Sequence, residues 1–231
     1  MDDGKSGYDP SPVNPLPPVV IVLFLMIFAV EALVAAGAAG LIGGAEAVGW
    51  RLNLAQTYAF SPELFQRMME LGQWPGEHLL RFVTYPFLHQ GFVQMAIAAV
   101  IFLAMGKLVG EAMGQIGVII MFFGGSIVGA LAYGLVPGQQ AWLLGSFPGA
   151  YGLIGGFTFI MWTRALVTGQ SQSQAFSLIA MLMGIQLLFG VLFGGDNLWV
   201  ADLAGFITGF ASCFIIVPGA RRALLDRLRQ R

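Results

Sequence analysis

Residues 143–156 read LLGSFPGAYGLIGG and place five glycines and one proline in an otherwise apolar stretch. Such a density of small residues is typical of backbones that pass very close to one another. It is also typical of a loop that descends to a buried site and continues into a helix. We therefore expect this stretch to lie at the centre of the fold and beside any functional site.

The rest of the chain has the composition of a polytopic membrane protein. Of its 231 residues 57% are hydrophobic and 10% are charged, whereas about 25% are charged in a soluble domain. A net charge of −1, without a basic run beside aromatic residues, excludes the nucleic-acid-binding class. With Cys213 as the single cysteine, and with His78 and His89 as the two histidines, we expect no metal site and no other cofactor.

Six windows are long enough to cross the hydrocarbon core, which takes about 20 apolar residues. They are residues 18–43, 86–106, 114–136, 149–168, 174–194 and 198–217. We therefore predict one six-span domain over 18–217, preceded by a disordered tail (1–17) and followed by a basic cytoplasmic tail (218–231). No internal repeat divides the domain.

The distribution of lysine and arginine predicts the orientation, because cytoplasmic loops carry more of them. One face would hold Lys5, Lys107, Arg164, Arg221, Arg222, Arg227, Arg229 and Arg231. The other would hold Arg51, Arg67 and Arg81. Both termini are predicted to be cytoplasmic, and the compact form favours a bacterial plasma membrane.

The long first loop, about 44–80, is predicted to contain a helix. Ser61 is a suitable N-cap, Pro62 suits the first helical position, and Gly72 is a C-terminal stop. An apolar stripe on this helix can lie in the membrane interface. It serves either to pack the loop on the bundle or to contact a client protein.

The apolar loop before the fourth span, PGQQAWLLGSFP at 137–148, is predicted to sink into the bundle. Irregular backbone at membrane depth requires protein or a water-filled cavity around it. The fourth helix would then begin below the surface of the protein.

Three segments in chain order resemble the rhomboid intramembrane proteases. RFVTYPFLHQGF (81–92) resembles the start of the family's second span, and GSFPGAYGLIG (145–155) is similar to its Gly-x-Ser-Gly-Ala-x-x-Gly-Leu-x-Gly segment. ADLAGFITG (201–209) resembles the sixth-span pattern Ala-His-x-x-Gly-x-x-x-Gly. Trp50 and Arg51 resemble a Trp-Arg pair of the first loop. The resemblance implies a six-span all-α bundle and a serine-type endopeptidase activity.

The departures from the family pattern fall on its chemistry. Phe147 stands where the resemblance implies the nucleophilic serine, and Asp202 where it implies the histidine base. Gln94 and Ala98 replace the histidine and asparagine that help to hold the oxyanion; Gln94 can still donate one hydrogen bond. A serine nucleophile needs a base within hydrogen-bond reach, and oxyanion stabilisation is commonly the largest catalytic contribution. The resemblance therefore leaves no intact catalytic residue.

Other residues of the matched segments are those that a fold requires. We expect helix packing on glycine faces formed by Gly145, Gly149, Gly152, Gly155, Gly205 and Gly209. We expect Arg81, His89 and Glu111 to support loops and helix ends. Asp202, an ionisable group inside a span, requires a partner; Ser146, Tyr151 and Gln94 are the candidates, while Glu31 has none.

Three functions remain open from the sequence. The first is a pseudoprotease that holds, sorts or presents the transmembrane segments of client proteins, as inactive members of the superfamily are thought to do. The second is an intramembrane serine protease with Ser146 as a displaced nucleophile and Asp202 as its base. The third is a small transporter or channel. The sequence favours the first, without catalysis, and predicts neither the client nor the oligomeric state.

Overall fold

The computed structural model describes residues 15–193 and 197–217 of the chain, and most of these residues are helical. Its helices are α1 (Pro18–Ala38), α2 (Trp50–Tyr58), α3 (Pro62–Leu71), α4 (Gly76–Thr84), α5 (Phe92–Gly134), α6 (Phe147–Thr168), α7 (Ser177–Phe193) and α8 (Leu198–Ile216). The only β pairing within the described ranges is an isolated bridge between Phe60 and Leu143. The all-α prediction is confirmed. Residues 1–14 and 218–231, which hold most of the two predicted tails, lie outside the described residues.

Five of the described helices are long and apolar enough to cross a membrane, whereas the sequence predicted six spans. They are α1, α5, α6, α8 and the segment Gln172–Leu192, in which a 3-10 turn leads into α7. The predicted spans 86–106 and 114–136 both overlap α5. The first of them begins later than predicted, at Phe92, because Tyr85–Phe87 form a 3-10 turn around Pro86.

Helix α5 is not continuous. Gly114 has φ 74° and ψ 179°, which is not helical. The aromatic rings of Phe102 and Phe122, on either side of it, lie 5.2 Å apart between centroids. A continuous helix would separate them by about 30 Å. The chain therefore reverses at Gly114, and the segments 92–113 and 115–134 lie side by side.

The first loop is more structured than predicted, since α2, α3, α4 and the 3-10 turn Gly44–Gly49 all lie in it. The predicted boundaries of α3 are confirmed: Leu64 donates its backbone N–H to the Ser61 hydroxyl at 3.3 Å, and Gly72 ends the helix with φ 64°. Of the apolar residues on α3, Phe65 and Met68 are buried, whereas Leu71 at the end of the helix is exposed. The loop is thus an ordered part of the fold.

Helix α6 lies at the centre of the bundle, where its glycines allow the backbones to meet. A Cβ atom on Gly209 of α8 would overlap the Gly152 carbonyl, and one on Gly205 would overlap the Pro148 carbonyl. On α5, a Cβ on Gly125 would lie 2.9 Å from the Pro148 oxygen. The small residues therefore place the start of α6 between α5 and α8.

Gly145 does not belong to that helical face, although the sequence grouped it there. It lies two residues before α6 begins and has φ 104°, a conformation that favours glycine. Its N–H donates to the Tyr85 carbonyl at 3.2 Å. Its role is to turn the buried loop into α6.

Candidate functional site

The start of α6 carries the residues at the centre of the candidate site. The preceding loop is buried at Leu143, Gly145 and Ser146, as the sequence predicted for a loop sunk into the protein. The Ser146 carbonyl accepts a hydrogen bond from the Ala150 N–H at 2.8 Å. The Ser146 hydroxyl, however, makes no capping bond to the helix. It is therefore free to bond elsewhere.

The Ser146 side chain lies beside His89 and not beside Asp202. Its Oγ is 3.3 Å from His89 Nε2, and its backbone N–H donates to the same nitrogen at 3.3 Å. Because Nε2 accepts this bond, the ring proton belongs on Nδ1. Burial lowers the pKa of His89 to about 4, although the Glu31 carboxylate and the Phe87 carbonyl oppose that shift. His89 is therefore neutral at pH 7.

The side chain of Arg51 fixes the loop that carries His89. Arg51 donates through Nη1 to the His89 carbonyl at 2.6 Å and forms two bonds to the Glu31 carboxylate, at 2.8 and 2.9 Å. The bonds to Glu31 and the charge of its carboxylate raise the pKa of Arg51 despite its partial burial. Glu31 on α1, for which the sequence offered no partner, is thus paired with a residue of α2.

Phe147 and Pro148 occupy the first turn of α6, where the family resemblance implies a serine and a glycine. Phe147 packs against a cluster that includes Tyr151, Ile154 and Phe206. The Pro148 ring lies against α5, since a Cβ on Gly129 would lie 2.8 Å from its Cβ. The position is therefore filled by apolar side chains and has no nucleophilic atom.

Asp202 is buried on α8, and its described partner differs from all three candidates that the sequence suggested. Gln186 of α7 donates through Nε2 to the Asp202 Oδ2 at 2.8 Å. The other amide atom, Gln186 Oε1, is buried and has no hydrogen bond within the described residues. Sequence reasoning missed Gln186, although it is the one amide side chain in the apolar run of α7 and an available donor for a buried carboxylate.

Gln94 and Ala98 lie on the first segment of α5. The Gln94 Oε1 accepts a hydrogen bond from the Gln90 backbone N–H at 2.7 Å. A Cβ on Gly145 would lie 3.4 Å from the Gln94 amide nitrogen, so this side chain stands next to the loop before α6. Ala98 is fully buried and offers no hydrogen bond from its side chain.

Arg81 and Glu111 lie in different settings. Arg81 donates to the carbonyls of Ala59 and Gln56 at 2.9 Å, and burial lowers its pKa. It thereby joins α4 to the end of α2. Glu111 is exposed, and its Oε1 lies 4.0 Å from the Nζ of Lys107, four residues before it on α5. Exposed pairs of this kind contribute little to stability.

The arrangement separates the groups that a serine hydrolase would bring together. Ser146 is fully buried and contacts a neutral histidine, whereas Asp202 bonds to an amide on α7. Among the described residues no group of three histidine, cysteine or carboxylate side chains could hold a metal ion. The geometry supports hydrogen bonding and packing more readily than proton transfer.

Comparison with known proteins assigns the fold. A family model described as the Rhomboid domain matches residues 76–219, more than half of the chain. No match was found among curated proteins. The matched range begins at the first residue of α4 and includes all of α5, α6, α7 and α8.

Proposed function

Because this chain belongs to the rhomboid family, we propose that it is a catalytically inactive member that binds transmembrane segments of client proteins. The observation that carries the proposal is the content of the degenerate site. Phe147 packs into an apolar cluster where the family serine would stand, and Asp202 bonds to Gln186 instead of to a nucleophile. A phenyl ring cannot attack a carbonyl, so no change of rotamer or pKa restores this position.

The proposed protein crosses the membrane six times. The reversal at Gly114 supports this count, since each segment of α5 is then about 20 residues long, as one crossing requires. Lys107 lies near that reversal, and Arg164 lies near the end of α6. With the loop that carries Arg51 and Arg81 on the opposite side, both termini are cytoplasmic. We place the protein in a bacterial plasma membrane.

Helix α7 is the surface that we propose for clients. Most of it faces outward, with exposed apolar side chains at Met181, Ile185, Leu188 and Val191. Lipid covers such a surface as well as protein does, so exposure alone does not select a partner. Beside it, however, Gln186 Oε1 lacks a hydrogen bond among the described residues. Because that atom is buried, a polar group on a client helix could satisfy it only where α7 moves away from α8.

Site-specific photo-crosslinking in the native membrane tests the client surface. A photoreactive amino acid is placed at Leu188 or Val191 of α7, and in control variants at Val22 or Leu25, which are also exposed but on α1. We expect crosslinks to single-pass membrane proteins from the α7 positions and weaker ones from α1. Equal crosslinking from both helices would indicate random collision and would contradict the proposal.

A protease with Ser146 as nucleophile is a second candidate, because Ser146 Oγ lies 3.3 Å from a histidine nitrogen. Two features oppose it: Ser146 is fully buried, and a His89 pKa of about 4 makes that ring a weak base at pH 7. The test is cleavage of a model transmembrane substrate in liposomes. Cleavage that disappears in Ser146→Ala would select this candidate, and we expect no cleavage in either protein.

A further inference from the structure

A cavity of about 410 Å³ lies outside the degenerate site, between α1, α2 and the loops that precede α5 and α6. Its volume falls within the usual range for small-molecule sites, about 300–1,000 Å³. Apolar side chains form most of its lining: Val30, Val34, Leu52, Leu54, Leu88 and Trp142. Glu31, Arg51 and His89 are the ionisable groups among its lining residues.

The polar side of the cavity carries hydrogen-bond donors that are available to a ligand. A guanidinium carries five N–H groups, and Arg51 uses three of them, two for the Glu31 carboxylate and one for the His89 carbonyl. The other two have no partner among the described residues, on a side chain that is 33% exposed. Both Glu31 oxygens already accept bonds from Arg51. The cavity therefore offers hydrogen-bond donors to a ligand and balances its own charge.

The apolar side of the cavity favours a flexible chain over a helix. A helix with its side chains is about 10–12 Å across, which is too wide for a space of this volume. The cavity is walled by α1, one of the membrane-spanning candidates, and by the apolar residues of α2. A ligand that approaches from the bilayer would bring an apolar chain and oxygen acceptors at one end.

We propose that this cavity binds a glycerophospholipid. One acyl chain lies along Val30, Val34 and Leu54, and the phosphate or ester oxygens accept the two remaining N–H groups of Arg51. Because Glu31 balances Arg51 and His89 is neutral, the cavity recognises features that all glycerophospholipids share and not a particular headgroup. This site does not depend on client binding.

Photolabelling with a phospholipid that carries a diazirine on its acyl chain tests the proposal. The full chain is reconstituted in liposomes with this lipid, irradiated, digested and mapped by mass spectrometry. We expect label on Val34 and Ala55, which are buried wall residues and are shielded from bulk lipid. Unlabelled phosphatidylethanolamine and phosphatidylglycerol should compete to the same extent.

Two variants decide whether the label reports the cavity. Leu52→Trp adds bulk to the cavity wall at a half-exposed position, and Leu25→Trp makes the same change at a similarly exposed position of α1 outside the cavity. The first should lose the label on Val34 and Ala55, whereas the second should keep it. Label confined to exposed residues such as Val22 and Val191, or equal label on Val34 in both variants, would overturn the proposal.

Discussion

Helices α6 and α7 belong to the same bundle, but the described structure holds them in opposite ways. Of the apolar window of α6, 56% is buried, whereas the figure for α7 is 12%. Glycines bring the backbone of α6 against α5 and α8, but a side chain added at Gly184 of α7 would meet nothing within 4 Å. The degenerate site lies at the start of α6, and Gln186 of α7 is the described partner of Asp202.

The contrast shows which parts of the bundle depend on small residues. The packing of α6 continues to require small residues at each approach, whether or not a nucleophile stands at its start. Helix α7 has few such requirements, so its outward surface is available for interaction with other membrane proteins. The close packing of α6 is therefore compatible with a phenylalanine at position 147.

Replacing a glycine at the centre should have the largest effect. In Gly209→Ala the added methyl would overlap the Gly152 carbonyl, which belongs to backbone and cannot rotate away. We expect the free energy of unfolding to fall by about 3 kcal/mol, the upper end for overpacking. Unfolding by SDS in mixed micelles measures it. The matched change on α7, Gly184→Ala, should cost nothing, and equal losses would remove the distinction between the helices.

Removing Arg51 should be nearly as costly, because the loop that holds the start of α6 depends on it. Arg51→Ala leaves the buried Glu31 carboxylate without its partner, and we expect a loss of about 3 kcal/mol, the low end for a broken buried pair. Lys107→Ala removes an exposed pair and should cost under about 1 kcal/mol. The same micelle titration measures both, and a similar cost for the two would contradict this role of Arg51.

The pH dependence of stability should report the histidine at the start of α6. His89 has a pKa of about 4 in the folded chain, against about 6.5 when exposed, so between these values the unfolded chain binds more protons. The folded state is therefore destabilised as the pH falls from 6.5 to 4, by roughly 3 kcal/mol, since the two pKa values differ by about 2.5 and each unit corresponds to 1.36 kcal/mol.

The control for that dependence is His89→Gln. All other ionisable groups are the same in both proteins, so the difference between the two stability curves isolates His89. We expect the wild-type curve to fall more steeply than the variant's between pH 6.5 and 4. Parallel curves over that interval would show that His89 is not held neutral by its surroundings.

The smallest effect is expected from the polar link between α7 and α8. Gln186→Leu removes the described donor to Asp202 and should lower stability by about 1 kcal/mol. Hydrogen–deuterium exchange should become faster in α7 and stay unchanged in α6. Leu188→Ala, an exposed change on the same helix, should leave exchange unaltered. Faster exchange in α6 would show that the two helices open together.

The sequence predicted the parts of this fold that depend on local patterns. Apolar length located the spans, and the cap residues Ser61 and Gly72 located α3 because capping acts within one helical turn. It predicted a reversal between the spans 86–106 and 114–136 but not its location at Gly114, since a glycine in an apolar run is equally compatible with close packing.

Partners that are distant in the chain were harder to predict. Glu31 and Arg51 are 20 residues apart, and Ser146 and His89 are 57 apart. A pairing of this kind depends on how whole helices pack, which no local pattern contains. The sequence indicated Gln186 only weakly: a buried carboxylate needs a hydrogen-bond donor, and the apolar run of α7 contains one amide side chain. The departures at Phe147 and Asp202, in contrast, are visible in the sequence itself.

Labelling with a fluorophosphonate probe for activated serines tests the central claim of lost catalysis most directly. The purified chain in detergent is compared with Ser146→Ala and with a variant that carries Phe147→Ser, Pro148→Gly and Asp202→His. We predict that the wild type stays unlabelled and that the triple variant is labelled, because α6 and α8 meet at Pro148 and Gly205, close to the substituted positions. Labelling of the wild type that Ser146→Ala abolishes would contradict the account and identify a protease with a displaced nucleophile.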